Sequence, residues 1–91
     1  MMYENIRYML KTVFSADFGM QEEVAKSIYL GSLKSGGKVD EMRAELLAAL
    51  EDGNISWRAM LLNDEYEVLE FETEDDSIEY VKRVLLAPLN L

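Results

Sequence analysis

Asn54-Ile55-Ser56-Trp57-Arg58-Ala59-Met60-Leu61-Leu62-Asn63-Asp64-Glu65-Tyr66-Glu67-Val68-Leu69-Glu70-Phe71-Glu72 decides whether this chain is wholly helical or mixed. In its first half, Ser56 can cap a short helix carrying Trp57, Met60 and Leu61, and Arg58 to Leu62 are good helix formers. Residues 55–61 also fit a strand paired with the second half; the short helix is the favoured reading. The second half alternates. Tyr66 and Val68 face one way and Leu69 and Phe71 the other, with no turn residue among them, so a strand is expected over Tyr66–Glu72. A lone strand leaves its ladder groups unpaired, and either residues 55–61 or another chain must then supply the partner. The expected fold is α+β: a predominantly helical single domain of four to five helices, with a short strand or hairpin near residues 55–72.

Upstream, Ile6, Met9, Leu10, Val13 and Phe14 recur at helical spacing over residues 4–14. Ser15-Ala16-Asp17-Phe18-Gly19 breaks that pattern and reads as a helix-ending turn with Phe18 buried. A second helix is expected from about Gln21 to Lys34, with Val24, Ala25, Ile28, Tyr29 and Leu33 on its inner side. Glu22 and Glu23 then lie at the positive end of its dipole. Ser35-Gly36-Gly37 reads as a loop. Asp40 can cap a third helix whose buried stripe is Met42, Leu46, Ala49 and Leu50, and Gly53 suits a left-handed stop. Downstream, Thr73 with Asp76 three residues on has capping-box spacing. Ile78, Val81, Val84 and Leu85 then form an apolar stripe, and Pro88 falls beyond its end. With 91 residues and no repeat or linker, residues 1–91 form one domain around one core.

Charge is the second informative feature. There are 18 acids, 9 bases, no His and no Cys. Nine of the acids lie between Asp64 and Glu79, where there is no base, so the remaining nine acids and nine bases cancel and this stretch carries the whole net charge of −9. Such a field repels nucleic-acid phosphates and steers a basic partner toward it. Tyr66, Glu67, Glu70, Glu72, Glu74, Asp75 and Asp76 are the candidate partner-binding residues. A plain reading stands beside this one: charge runs are commonly solvated faces, Glu74 to Asp76 suit a helix N-terminus, and acids on a strand edge discourage aggregation.

Catalytic and metal chemistry find little support. Without His or Cys, only oxygen ligands and carboxylate acid–base pairs remain. Asn63, Glu65, Glu67 and Glu74 have the spacing of calcium-loop ligands, but Val68 stands where the loop needs its glycine. Asp17-Phe18-Gly19 lacks the other kinase elements, and Gly31 with Gly36-Gly37 lacks the spacing and the Lys-Ser/Thr ending of a phosphate loop. No catalytic residue, cofactor or metal is expected. Trp57 and Met9, Met42 and Met60 fit core positions better than a binding surface. No apolar run approaches the roughly 20 residues of a membrane span, and Met1 to Phe14 does not resemble a secretory signal, so a cytoplasmic location is expected.

Taken in order, several segments resemble the small immunity proteins of bacterial contact-dependent growth inhibition systems. They are Phe14…Asp17-Phe18, Glu45-Leu46-Leu47, the block from Trp57 through Met60-Leu61-Leu62-Asn63-Asp64-Glu65-Tyr66-Glu67-Val68, then Ile78-Glu79-Tyr80-Val81 and Leu85-Leu86-Ala87-Pro88-Leu89. The resemblance implies an inhibitor, not an enzyme, that binds the toxic C-terminal domain of a cognate effector, often a nuclease, inside the cell. It assigns no contact residues. A toxin domain with a basic surface would suit the acidic stretch; an acidic adaptor or nucleic-acid-mimic regulator is the alternative.

Overall fold

A computed structural model describes residues 3–90. Its five α-helices are α1 (Glu4–Thr12), α2 (Glu22–Gly36), α3 (Val39–Glu51), α4 (Trp57–Leu61) and α5 (Glu74–Val81). A 3-10 turn, Ala16–Phe18, lies between α1 and α2. Beyond α5 the chain continues through a π turn, Lys82–Leu86, into a 3-10 turn, Ala87–Asn90. α3 is central, packing against α1, α2 and the π turn, while α4 packs on α5.

The expected stripes of α1 and α3 are inside. Ile6, Met9, Leu10, Val13 and Phe14 are buried, as are Met42, Leu46 and Ala49, with Leu50 partly so. Tyr3, in a left-handed conformation, precedes α1 and gives it no side-chain cap. Glu45 of α3 supplies one instead, accepting from the Ile6 N–H at 2.7 Å and the Asn5 amide at 3.2 Å. The Tyr3 hydroxyl donates to Asp52 at 2.7 Å, so α1 is tied to both the middle of α3 and the residue at its end.

α2 differs from its expected form at both its face and its end. Ala25, Tyr29 and Leu33 are buried, whereas Val24 and Ile28 are 48% and 46% exposed. Each of these precedes a buried residue by one position, about 100° around the helix, and the core reaches only one side. Nor is Ser35-Gly36-Gly37 a loop: the helix runs through Gly36 and stops at Gly37, which is left-handed at φ 67°. The Gly37 N–H bonds to Lys34 O and the Lys38 N–H to Leu33 O, a Schellman closure that lets two glycines end a helix without a loop. α3 then starts at Val39, one residue before the expected cap, and Asp40 pairs with Arg43 at 2.9 Å. Gly53 has no positive φ; the exit from α3 is instead held by Asp52, whose Oδ1 accepts from the Asn54 N–H at 2.9 Å.

The stretch from Asn54 to Glu72 overturns the α+β expectation. Among the described residues there is no strand, only an isolated antiparallel bridge between Leu62 and Glu67, so the domain is all-α. The short helix favoured over the strand for residues 57–61 forms, with Ser56 Oγ accepting from the Ala59 N–H at 3.2 Å. Asn63 then turns the chain. Its Oδ1 accepts from the N–H groups of Glu65 and Tyr66 at 3.0 and 3.2 Å, and its Nδ2 donates to Ala59 O at 2.8 Å. The next segment is an extended strap held by a few bonds: Val68 N–H to Leu61 O at 2.7 Å and Ala16 N–H to Glu67 O at 2.6 Å. Tyr66 and Val68 are buried, Glu67 and Leu69 exposed, and Phe71 leans on Tyr80 with ring centroids 5.4 Å apart. Alternating burial belongs to any extended chain laid across a core; pairing is a separate property that the pattern does not encode.

Thr73 caps α5, accepting from the Asp76 N–H at 3.1 Å. Val81, Val84 and Leu85 are buried as expected and Ile78 partly so. The helical path does not stop short of Pro88. A proline offers no N–H to the carbonyl one turn back, and the backbone widens before it, the Ala87 N–H reaching Lys82 O. Carbonyls in this altered register take side-chain donors. The buried Tyr29 hydroxyl donates to Leu85 O at 2.7 Å, and Arg43 Nη2 donates to Leu89 O. Burial pushes the Tyr29 phenol well above its ordinary range, keeping it a donor at physiological pH.

Candidate functional site

The acidic stretch spans the Asn63 turn, the strap and the first turns of α5. Asp64, Glu65, Glu67, Glu70, Glu72, Asp75, Asp76 and Glu79 are exposed, and Glu74 is half-buried. Among the described residues none of these nine carboxylates forms an ion pair. Arg58, the base that precedes them, turns its Nε to Phe71 O at 2.7 Å.

Two of the seven candidate residues are occupied by the fold. Tyr66 is only 5% exposed, and its buried hydroxyl has no hydrogen-bond partner among the described residues, so its ring serves the core. Glu74 turns toward the start of α4. Its carboxylate accepts from Ser56 Oγ, from the Trp57 N–H at 2.9 Å and from the Arg58 N–H at 3.3 Å. The Ser56 hydrogen bond is the largest influence holding this carboxyl below the ordinary glutamate range, with the Arg58 and Trp57 N–H groups adding to it. Glu67, Glu70, Glu72, Asp75 and Asp76 remain outward, the two aspartates also lying at the positive end of the α5 dipole. No group of three or more carboxylates among the described residues is placed to hold a metal ion. In the calcium-like spacing, Asn63 Oδ1 is taken by backbone N–H groups and Glu74 faces α4.

Beside the strap lies a groove of about 210 Å³, absent from the sequence reading. Val68, Leu69 and Tyr80 form one part of its lining; Phe14, Ala16 and Met20 form another, with Glu22 at the edge. Glu22 is engaged by Arg83, whose Nη2 and Nε reach its two oxygens at 2.8 and 3.2 Å and whose guanidinium sits 5.5 Å from the Tyr80 ring centre. Leu69 is 47% exposed, and so is the ring expected to be buried: Phe18 is 55% exposed. The 3-10 turn is too short to bury each of its side chains, and Gly19, left-handed at φ 59°, redirects the chain immediately after Phe18. The hydrogen bond from the Ala16 N–H to Glu67 O links this turn to the strap, a relation no local signal announces.

No protein-family model, curated protein or solved structure matches the chain. No helix among the described residues is long and apolar enough to cross a membrane.

Proposed function

We propose that this protein is a binding inhibitor that recognises a basic protein surface through the outward acids of residues 64–79. In keeping with its resemblance to contact-dependent growth inhibition immunity proteins, the partner is the toxic domain of a cognate effector, met in the cytoplasm. One observation carries the reading: eight exposed carboxylates without ion-pair partners among the described residues stand in a stretch that holds no base, while the remainder of the chain is neutral. A nuclease cleft that accepts phosphates is basic, and an acidic surface can cover it by matching its charge.

The experiment is stopped-flow association with the purified toxin domain encoded by the neighbouring upstream reading frame. Glu70→Lys with Asp75→Lys changes the net charge from −9 to −5 at two exposed positions. Association should slow most at low salt, where the Debye length reaches about 30 Å, and approach wild type near physiological salt, where it is about 8 Å. Equal on-rates at low salt would show that the acids are only a solvated face.

A further inference from the structure

Resting on that reading, we infer that the groove beside the strap seats an apolar side chain presented by a Lys/Arg-bearing segment of the partner. Its volume, about 210 Å³, is below the roughly 300–1,000 Å³ of small-molecule sites and suits one or two side chains. Exposed apolar groups belong to two of the segments that line it: Leu69, itself a lining residue, is 47% exposed on the strap, and Phe18, in the 3-10 turn between the lining residues Ala16 and Gly19, is 55% exposed. Exposed rings and aliphatic groups beside a concavity are the usual centre of a protein–protein contact.

Charge selects the occupant. Asp17 on the turn and Glu67 and Glu70 on the strap are exposed and have no ion-pair partner among the described residues, and the one carboxylate lining the groove, Glu22, is already neutralised by Arg83. A segment whose apolar residue enters the groove lies against the turn and the strap that carry these carboxylates, and lysines or arginines flanking that residue complement them. A second copy of this chain fits poorly, since its own net charge of −9 would bring acid against acid. The acids supply long-range attraction; the groove fixes where on the acidic surface the partner docks.

The test uses the full chain, labelled with ¹⁵N, and two synthetic peptides of equal charge. One places Leu at i, i+3, i+4 and i+7 among Lys residues, an amphipathic helical repeat, and the other replaces every Leu by Ser. The Lys/Leu peptide should bind at least ten-fold tighter and shift, besides residues 64–79, the groove amides outside that stretch, those of Ala16, Gly19 and Met20. The Lys/Ser peptide should perturb only residues 64–79. Leu69→Ser and Phe18→Ser, both at exposed positions and checked for unchanged circular dichroism, should abolish the discrimination between the peptides. If the two peptides bind equally and neither shifts the groove amides, the groove inference is overturned, while salt-sensitive binding lost in Glu70→Lys/Asp75→Lys would leave the acidic reading standing. If neither peptide binds, the groove inference fails as well. Self-association that shields the groove amides at micromolar concentration, seen by sedimentation, would assign it to a second copy and overturn the proposed occupant.

Discussion

Glu74→Ala removes a hydrogen-bonded contact between α5 and the start of α4. The carboxylate accepts from Ser56 Oγ, from the Trp57 N–H at 2.9 Å and from the Arg58 N–H at 3.3 Å, so the substitution leaves two backbone donors to water. Loss of a side-chain cap costs about 0.5–2 kcal/mol, and hydrogen bonds to an ionised acceptor fall in the upper part of that range. Glu74 is half-buried, and solvent screening lowers the gain; about 1–2 kcal/mol is expected. For a domain of this size that is a fall in Tm of roughly 4–16 °C. Trp57, the single tryptophan, is 2% exposed, so its fluorescence reports the release of α4. The sign of the pH dependence comes from the hydrogen bonds to Ser56, Arg58 and Trp57, which hold the folded-state carboxyl below its ordinary 4.5. Its contribution is present above that ordinary value and is lost as pH falls through the depressed one. Wild type and Glu74→Ala should therefore differ at pH 7 and converge in acid, with Glu74→Gln between them. Thermal melts of the three proteins at pH 7 and pH 3 check this. Equal midpoints at pH 7, or a gap undiminished at pH 3, would refute the capping role.

Leu46→Ala, at a fully buried position in the central helix, should cost about 2–5 kcal/mol in urea unfolding, and an unchanged midpoint would remove α3 from the core. Tyr29→Phe should cost about 1–3 kcal/mol because it strands the Leu85 carbonyl in a buried setting; equal stability would mean that the π turn closes without it. Tyr66→Phe should do the opposite, leaving stability unchanged or raising it by about 1 kcal/mol, because the hydroxyl it removes is buried without a partner. A loss in that variant, measured by the same denaturation, would show that the hydroxyl is satisfied in solution.

Local signals carry much of the helical architecture. α1, α3 and α5 show their stripes because each buries one continuous face, and Ser56 and Thr73 mark their helix starts through bonds that span three residues. The misreadings occur where a local signal has two physical outcomes. Gly53 suits a left-handed stop, but an aspartate side chain closes that turn; paired glycines suit a loop at Gly36-Gly37, but they form a Schellman closure instead. Alternation at Tyr66–Val68 records real burial but not ladder pairing. The acidic stretch is legible because charge along a chain needs no fold to be counted. The inward turn of Glu74 and the groove are not, because both depend on contacts between distant segments, α5 with α4 and the strap with the first 3-10 turn.

On the proposed reading, residues 64–79 serve two purposes at interleaved positions. Tyr66, Val68, Phe71 and Glu74 hold the strap and α5 against the rest of the domain through the core, the Tyr80 ring and the start of α4. Glu67, Leu69, Glu70, Glu72, Asp75 and Asp76 lie between or beyond them and are exposed. Exposed substitutions away from caps and buried contacts usually stay within about 0.5 kcal/mol, so the outward set can change with little effect on the fold. An inhibitor that must match one partner and reject its relatives needs that separation, since specificity is a difference between affinities and is tuned by altering surface charge and shape. The extended strap provides it at close spacing, because successive side chains leave opposite faces and a structural residue can sit beside a recognition residue without sharing its surroundings.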